Sequence, residues 1–422
     1  MGIEALFPAR CYHTGLPDQS KFNRRQAAAA LAGFCAFLSF YAPQPLLPLL
    51  AAEFHTSVAA ISMVITASTL GMAGFAPVAG LLADHWGRKH VIVPSALLLA
   101  IPIALAGTST TVGQLVFWRF LVGVFTPGVS VVIAAYINEE WVEGVGSAMG
   151  AYVSGTVLGG FSGRMIMGLV AARFSWRTAF FTLAVVNALG ALGVWAWLPA
   201  GRRFERANST VSTLAAMLRH LKNPRLVATY AVGFCVLFSM LATFTYVNFY
   251  LAAPPFRLST AALGLLFVVY LAGAIAAPVA GRWVDLKGHR FVLTVAFTGG
   301  VAGILLTLLP SLPMIMAGLA LCCTGVFVAQ SASTSYVGIV AQEARAAAVG
   351  LYVMFYYIGG SVGAALPGRF WSRGGWPACV ALIASLQILI IILAAFFWQP
   401  RKKNEPSAFS GQPSANPGAG LS

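Results

Sequence analysis

Charge is what this sequence has least of. Only 9% of its 422 residues are charged and only 11 are acidic, against roughly 25% charged in an ordinary soluble domain. That scarcity excludes a water-soluble globule. Cysteine chemistry is missing as well: Cys11, Cys35, Cys235, Cys322, Cys323 and Cys379 fall mostly inside apolar runs, without C-x-x-C or Cys/His spacing, so neither a redox motif nor a metal set is expected. There is no Gly-Lys dipeptide, hence no phosphate-cradling loop of an ATP-driven pump. The apolar runs hold no cluster of nucleophile, acid and base, so no catalytic residue and no enzyme is expected. The first 25 residues lack the continuous apolar stretch of a cleavable signal, and Leu6 stands where a myristoylation signal needs Ser or Thr.

What is present is apolar length. Hydrophobic residues make up 59% of the chain, in runs near 27–49, 58–82, 90–108, 112–137, 145–170, 177–198, 226–251, 260–284, 290–309, 312–339, 346–369 and 377–398. About 20 apolar residues cross a bilayer as a helix, so twelve transmembrane helices and an all-α polytopic membrane protein are expected. Barrel strands alternate over ~10 residues and are excluded by these continuous runs. The widest polar gap separates six spans from six. The organisation read from this is a cytoplasmic N-terminal tail, 1–25; a six-helix bundle, 26–199; a basic cytoplasmic linker, 200–225; a second bundle, 226–398; and a Pro/Gly/Ser-rich disordered tail, 399–422. In the linker Leu214, Met217, Leu218 and Leu221 recur at helical spacing beside Arg219 and Lys222, a pattern suited to a surface helix. Pro43, Pro45 and Pro48 are expected to end or bend the first span.

The net charge of +15 on a soluble chain would suggest nucleic acid. Here it sorts by side. With both termini cytoplasmic, 19 of the 26 Lys+Arg fall on the cytoplasmic face, as positive-inside topology requires; contact with water and anionic headgroups is their ordinary role. No nucleic-acid partner is expected.

The sequence repeats itself. G-F-C-x-x-x-S at 33–39 returns at 233–239, and A-P-V-A-G at 76–80 returns at 277–281. Gly150, Tyr152, Val153, Gly159, Gly160 and Gly163 return as Gly350, Tyr352, Val353, Gly359, Gly360 and Gly363. Six spans separate equivalents, an even number, so the halves are parallel repeats about an axis along the membrane normal. Gly150, Gly155, Gly159, Gly160, Gly163, Gly359 and Gly360 are read as helix-contact points.

GLLADHWGRK at 80–89, and its weaker copy GRWVDLKGHR at 281–290, resemble the signature loop of the major facilitator superfamily, and the similarity runs from about residue 25 to 398. The acidic INEEW, the Gly-rich fifth span and FSWRTAFF resemble a bacterial branch of arabinose-efflux-type and multidrug-efflux permeases. The resemblance implies two six-helix bundles in a bacterial inner membrane, and proton-coupled efflux of a small organic compound. It implies no cofactor, with protons and the lipid bilayer as the other partners, and a monomer is expected. It also implies a latch, made of Gly80, Asp84, Gly87, Arg88 and Lys89 with Asp285, Gly288 and Arg290, which holds the outward-open state and breaks when the cytoplasmic side opens. From the residues alone, Arg88 and Lys89 are candidates to meet Glu139, Glu140 or Glu143.

Two charges lie within spans, Arg119 and Arg164, where a central Arg costs about 2.5–3.5 kcal/mol on the translocon scale. Their repeat positions hold Leu319 and Ala364, which argues for use rather than scaffold. Arg119 with Gly123 resembles the family's fourth-helix motif of proton-coupled members. None of the 11 acids or six histidines falls at mid-span, which disfavours a dedicated cation exporter and favours a neutral or anionic substrate. The substrate cavity is therefore read as Arg119 and Arg164 with Tyr41, Gln44, Tyr246, Asn248, Gln330, Tyr356 and Tyr357. The competing readings are an importer or facilitator of an organic anion and, from a different class, a non-transporting membrane receptor.

Overall fold

The computed structural model describes residues 19–141, 144–199, 201 and 210–398, and among these every regular element is helical. Each of the twelve apolar runs carries helix: α1 (Gln19–Leu38), α2 (Val58–Trp86), α3 (Arg88–Ala106), α4 (Val112–Glu140), α5 (Val145–Arg173), α6 (Trp176–Trp197), α7 (Pro224–Ala252), α8 (Thr260–Leu265, continuing through a 3-10 turn into Val269–Lys287), α9 (His289–Leu306), α10 (Leu312–Val340), α11 (Arg345–Ala365) and α12 (Pro367–Phe397). Among the described residues ten of these are long and apolar enough to cross a membrane. The other two are α1, whose start carries charge, and α8, which is interrupted.

Local chemistry sets the helix ends. Ser57, Thr111, Ser175 and Ser259 cap α2, α4, α6 and α8 by accepting from Ala60, Gln114, Thr178 and Ala262 amides at 3.1–3.3 Å. At the opposite face the chain turns between α2 and α3 at Gly87, φ +90°, and between α8 and α9 at Gly288, φ +83°, a left-handed backbone that glycine adopts without a Cβ clash. The prolines act as expected. α1 stops at Leu38, Gln44–Leu46 forms a single 3-10 turn, and a short helix, Leu47–Glu53, completes the run. α12 is two helical segments that meet at a kink at Gly374 and Gly375, and the apolar run from 377 begins just past that kink.

The repeat is visible in the packing. α1 lies on α5, and α7 lies on α11. A Cβ built on Gly155, Gly159 or Gly163 would overlap the carbonyls of Ala30, Phe34 and Leu38 in turn, and one on Gly359 or Gly363 would overlap those of Phe234 and Phe238. These glycines stand four apart, one helical turn, and so form a stripe that lets backbones approach. Helical phase also corrects two expectations. Gly150 lies five residues before Gly155, off the stripe, and a Cβ there meets nothing within 4 Å. Gly160 lies one residue past the stripe and faces the interior, where its carbonyl accepts from Arg164. Gly360 touches side chains of α7, Leu237 and Leu241, rather than backbone.

The linker helix forms at Thr210–His220. Arg219 meets Glu343 at 3.5 Å and the His220 ring approaches the Ala344 carbonyl at 3.4 Å, so this helix rests on the α10–α11 loop. Met217 packs on a cluster of Leu226, Tyr230 and Leu351, while Leu218 and Leu221 stay exposed. Both tails' outer parts (1–18 and 399–422), Glu143, and Arg202, Arg203 and Arg206 of the linker lie outside the described residues. The five described cysteines are buried and free.

Candidate functional site

The two bundles touch at the face away from the chain ends. There Ser361 of α11 donates to Thr69 of α2 at 2.9 Å, Thr66 of α2 donates to the Ser361 carbonyl at 3.4 Å, and Gly368 at the start of α12 sits against Ala59 of α2. Gln44 donates to Thr245 of α7 at 3.2 Å. α5 crosses α8 at two glycines: a Cβ on Gly264 would fall 2.9 Å from the Arg164 carbonyl and 3.2 Å from the Gly168 Cα. Toward the face of the chain ends the same helices part. A Cβ on Gly80 of α2, Gly146 or Gly150 of α5, Gly281 of α8 or Gly338 of α10 would meet nothing within 4 Å. The space between the bundles is thus sealed at one end and splayed at the other.

That space is a cavity of about 570 Å³. Down α5 it is lined by Arg164, Gly160, Val157, Thr156, Val153 and Tyr152; down α10 by Phe327, Gln330, Ser331, Thr334 and Ser335; and around them by Phe37, Tyr41, Leu237, Met240, Tyr270, Tyr356 and Tyr357. Arg164 sits at its closed end, 1% exposed. Its Nε donates to the Gln44 side-chain carbonyl at 2.7 Å and its Nη1 to the Gly160 carbonyl at 2.7 Å. Three rings surround the guanidinium, with centroids at 4.6 Å (Phe267), 4.7 Å (Tyr270) and 5.1 Å (Tyr41), within the range where a cation is attracted to a π face. Nη2 has no hydrogen-bond partner among the described residues. No Asp, Glu, Lys or His is among the lining residues.

Of the nine residues expected in the cavity, Tyr41, Arg164, Gln330, Tyr356 and Tyr357 line it, and Gln44 stands one hydrogen bond behind Arg164. Three do not line it. Arg119 is wholly buried and donates to the Phe40 carbonyl, which lies just past the break in α1 where no helical amide can reach it; Ser68 in turn donates to the Arg119 carbonyl at 2.9 Å. Its place is to satisfy that broken end. Tyr246 is buried in the second bundle, where it donates to the Ala364 carbonyl of α11 at 2.8 Å. Asn248 donates back to the Phe244 carbonyl one turn earlier, at 2.5 Å, and is buried in α7. Sequence reasoning missed Phe267 and Tyr270. Both lie in an apolar run where an aromatic ring reads as packing, and only the α5–α8 crossing brings them to Arg164.

Ser361→Ala deletes the neutral hydrogen bond that Ser361 donates to Thr69 across the seal, worth ~1 kcal/mol. The sealed state is then expected to lose about fivefold in its population ratio, read as a longer-distance fraction between spin labels at Ala52 and Ala253.

At the splayed end Arg88 holds a carboxylate on each side. Its Nη1 meets Asp84 at 2.7 Å, and its Nε and Nη2 grip the two oxygens of Glu139 at 2.9 and 2.5 Å. The expected pairing with the acidic end of α4 is therefore present, bidentate and half-buried, within the first bundle. Of the second copy, Gly288 makes the turn and Arg290 opens α9, its carbonyl accepting from Thr294 at 2.9 Å; Asp285 stands at the end of α8. Lys89 lies in the first turn of α3.

Twelve helix-bearing apolar runs in two repeated bundles around a one-sided cavity define a membrane transporter. The match to known proteins agrees. The family model of the Major Facilitator Superfamily matches residues 29–267 and 249–419, and the chain belongs to that superfamily. It is 31% identical over 390 residues to the MFS-type transporter YybF of Bacillus subtilis, covering 91% of this chain and 96% of the relative. It is 33% identical over 375 residues to the inner membrane transport protein YnfM of Escherichia coli, covering 88% and 90%. In fold it is similar to the nucleoside transporter NupG, with a TM-score of 0.72 at 16% identity over 89% of this chain and 100% of that one.

Proposed function

We propose that this chain is a secondary active transporter that exports a small organic compound by alternating access, driven by proton exchange. The observation that carries this reading is the one-sided cavity: hydrogen bonds and glycine crossings between the bundles seal it at one end, while open glycines mark the other. A rocking motion of two parallel repeats about the cavity would exchange these ends. The basic residues make the splayed face cytoplasmic, in a bacterial inner membrane, with both termini inside and one copy as the working unit. No cofactor is called for, because the proton gradient supplies the energy.

The latch residues then work as a switch between partners. In this state Asp84 is held by Arg88 of its own loop, and Gly80 is uncovered. When the cytoplasmic end closes, α2 approaches α11 there, and Asp84 gains a position between the bundles. Since the two states of a transporter differ by only a few kcal/mol, one ion pair is enough to bias them. Asp84→Asn is expected to reduce transport at least tenfold with unchanged yield in the membrane; wild-type rates in that variant would remove the latch from the mechanism.

The direct test of the function is transport into inside-out vesicles with simultaneous recording of lumenal pH. Export by antiport predicts accumulation that is accompanied by proton efflux from the lumen and abolished when the pH gradient is collapsed. Accumulation indifferent to the gradient would overturn the coupling.

A further inference from the structure

The closed end of the cavity is chemically lopsided. It presents one permanent positive charge, since a guanidinium does not deprotonate in a protein, and the residues lining the cavity offer no anion to balance it. Two protein carbonyls take Nε and one Nη1 proton of Arg164 at 2.7 Å each. These bonds fix the plane of the group and leave Nη2, itself buried, without a partner among the described residues. Phe267, Tyr270 and Tyr41 wall the guanidinium at 4.6–5.1 Å, and Tyr356 and Phe327 extend the aromatic wall down the cavity.

From this arrangement we infer that, within the transport reading above on which it rests, the substrate is an amphipathic organic monoanion, a carboxylate carried on an aromatic or similarly flat apolar body. The oriented guanidinium keeps one unpartnered nitrogen, Nη2, to donate charge-assisted hydrogen bonds to a carboxylate, and such bonds are about twice as strong as neutral ones. A single cation balances one negative charge. A phosphate dianion would leave a second charge uncompensated in a low-dielectric site, which is costly. A cationic compound would face Arg164 with no acid to offset the repulsion. The rings give the body of the ligand its apolar surface, and about 570 Å³ lies within the ordinary range of small-molecule sites. Gln44 adds a consequence. It accepts from Arg164 and donates to Thr245 of the other bundle, so a carboxylate that draws the guanidinium toward itself loosens a bond of the seal.

The test is equilibrium binding to the full chain in lipid nanodiscs, using three compounds of one shape: 3-phenylpropanoate, 3-phenylpropanamide and 3-phenylpropylamine, with acetate and inorganic phosphate beside them. The carboxylate is expected to bind at least tenfold more tightly than the amide or amine, and acetate and phosphate to bind weakly. Arg164→Gln should lose at least tenfold for the carboxylate and leave the amide unchanged; Arg164→Lys should keep part of the preference; Tyr270→Leu should weaken both ring-bearing ligands. Equal binding of the amide or amine, no binding of any ring-bearing compound, or undiminished carboxylate binding in Arg164→Gln would overturn the proposal. The comparison on the wild-type chain stands even where a variant fails to fold. Transport of the amine or amide would refute the anion class and leave the transporter reading intact, whereas a carboxylate bound at Arg164 but never moved would refute transport and leave the site.

Discussion

Gly168→Leu is expected to trap the protein with its sealed end open. In the present state α5 and α8 cross so closely at Gly168 and Gly264 that a Cβ on Gly168 would fall 3.0 Å from the Gly264 Cα and still closer to the Thr260 carbonyl. The obstructing atoms are backbone and have no rotamer to change. Overpacking of this sort costs about 1–3 kcal/mol and sometimes more. Under the alternating access proposed above, the whole of that strain falls on the sealed state, because the crossing would separate when the other end closes. At ~3 kcal/mol the population ratio moves about 100-fold, enough to leave the sealed state a minor species. Transport should fall at least tenfold while the purified variant keeps a thermal midpoint near that of the wild type, and a label pair at Ala52 and Ala253 should report the longer distance. A variant that transports normally would show that this crossing is not part of the cycle.

Gly159→Leu should fail differently, by losing the first bundle. Its Cβ points into the backbone of α1 at Phe34, between Gly155 and Gly163, which meet α1 in the same manner. No conformation of the cycle separates α1 from α5 within a rigid bundle, so the strain is carried by every folded state. Within a bilayer there is little hydrophobic force to hold helices together, and close backbone approach supplies much of their attraction. Separating the helices to admit an isobutyl group therefore removes contacts along the whole stripe. We expect a fall of more than about 3 kcal/mol in stability, seen as little or no folded protein in the membrane fraction. Gly150→Leu, about two and a half turns away on the same helix, should be neutral because nothing lies within 4 Å of its Cβ. Comparable yields for the two variants would contradict the stripe.

That contrast also shows what was readable in the sequence. Spans, repeats and loops were legible because apolar length, Ser/Thr caps and proline breaks act locally: the stop of α1 at Leu38 follows from Pro43, Pro45 and Pro48. Glycines in a repeated motif were legible as a group, but their separate jobs depend on helical phase. Four-residue spacing put Gly155, Gly159 and Gly163 on one line, and left Gly150 and Gly160 off it. Arg164 was legible because a charge in a span must be sheltered. Arg119 announced itself by the same rule, yet its shelter is the broken end of α1 rather than the cavity. The cage of Phe267 and Tyr270 was not legible, since it arises from a crossing between helices more than 90 residues apart in a chain where 12% of residues are aromatic. The seal was equally hidden: nothing in the sequence sets Thr66, Thr69, Thr245 and Ser361 apart from the other hydroxyls of the spans, and only the meeting of the two bundles gives them a common task.

The central claim, that the two bundles rock about the Arg164 cavity, is tested most directly by double electron–electron resonance on two label pairs in nanodiscs. One pair, Gly146 and Gly281, spans the splayed end; the other, Ala52 and Ala253, spans the sealed end. Distances would be recorded in the wild type across pH and with 3-phenylpropanoate, using Gly168→Leu as the opened reference. Rocking requires two populations whose weights shift in opposite senses at the two ends, the Gly146–Gly281 distance shortening as the Ala52–Ala253 distance lengthens. A single unchanging distribution at both ends, or distances that lengthen together, would contradict it.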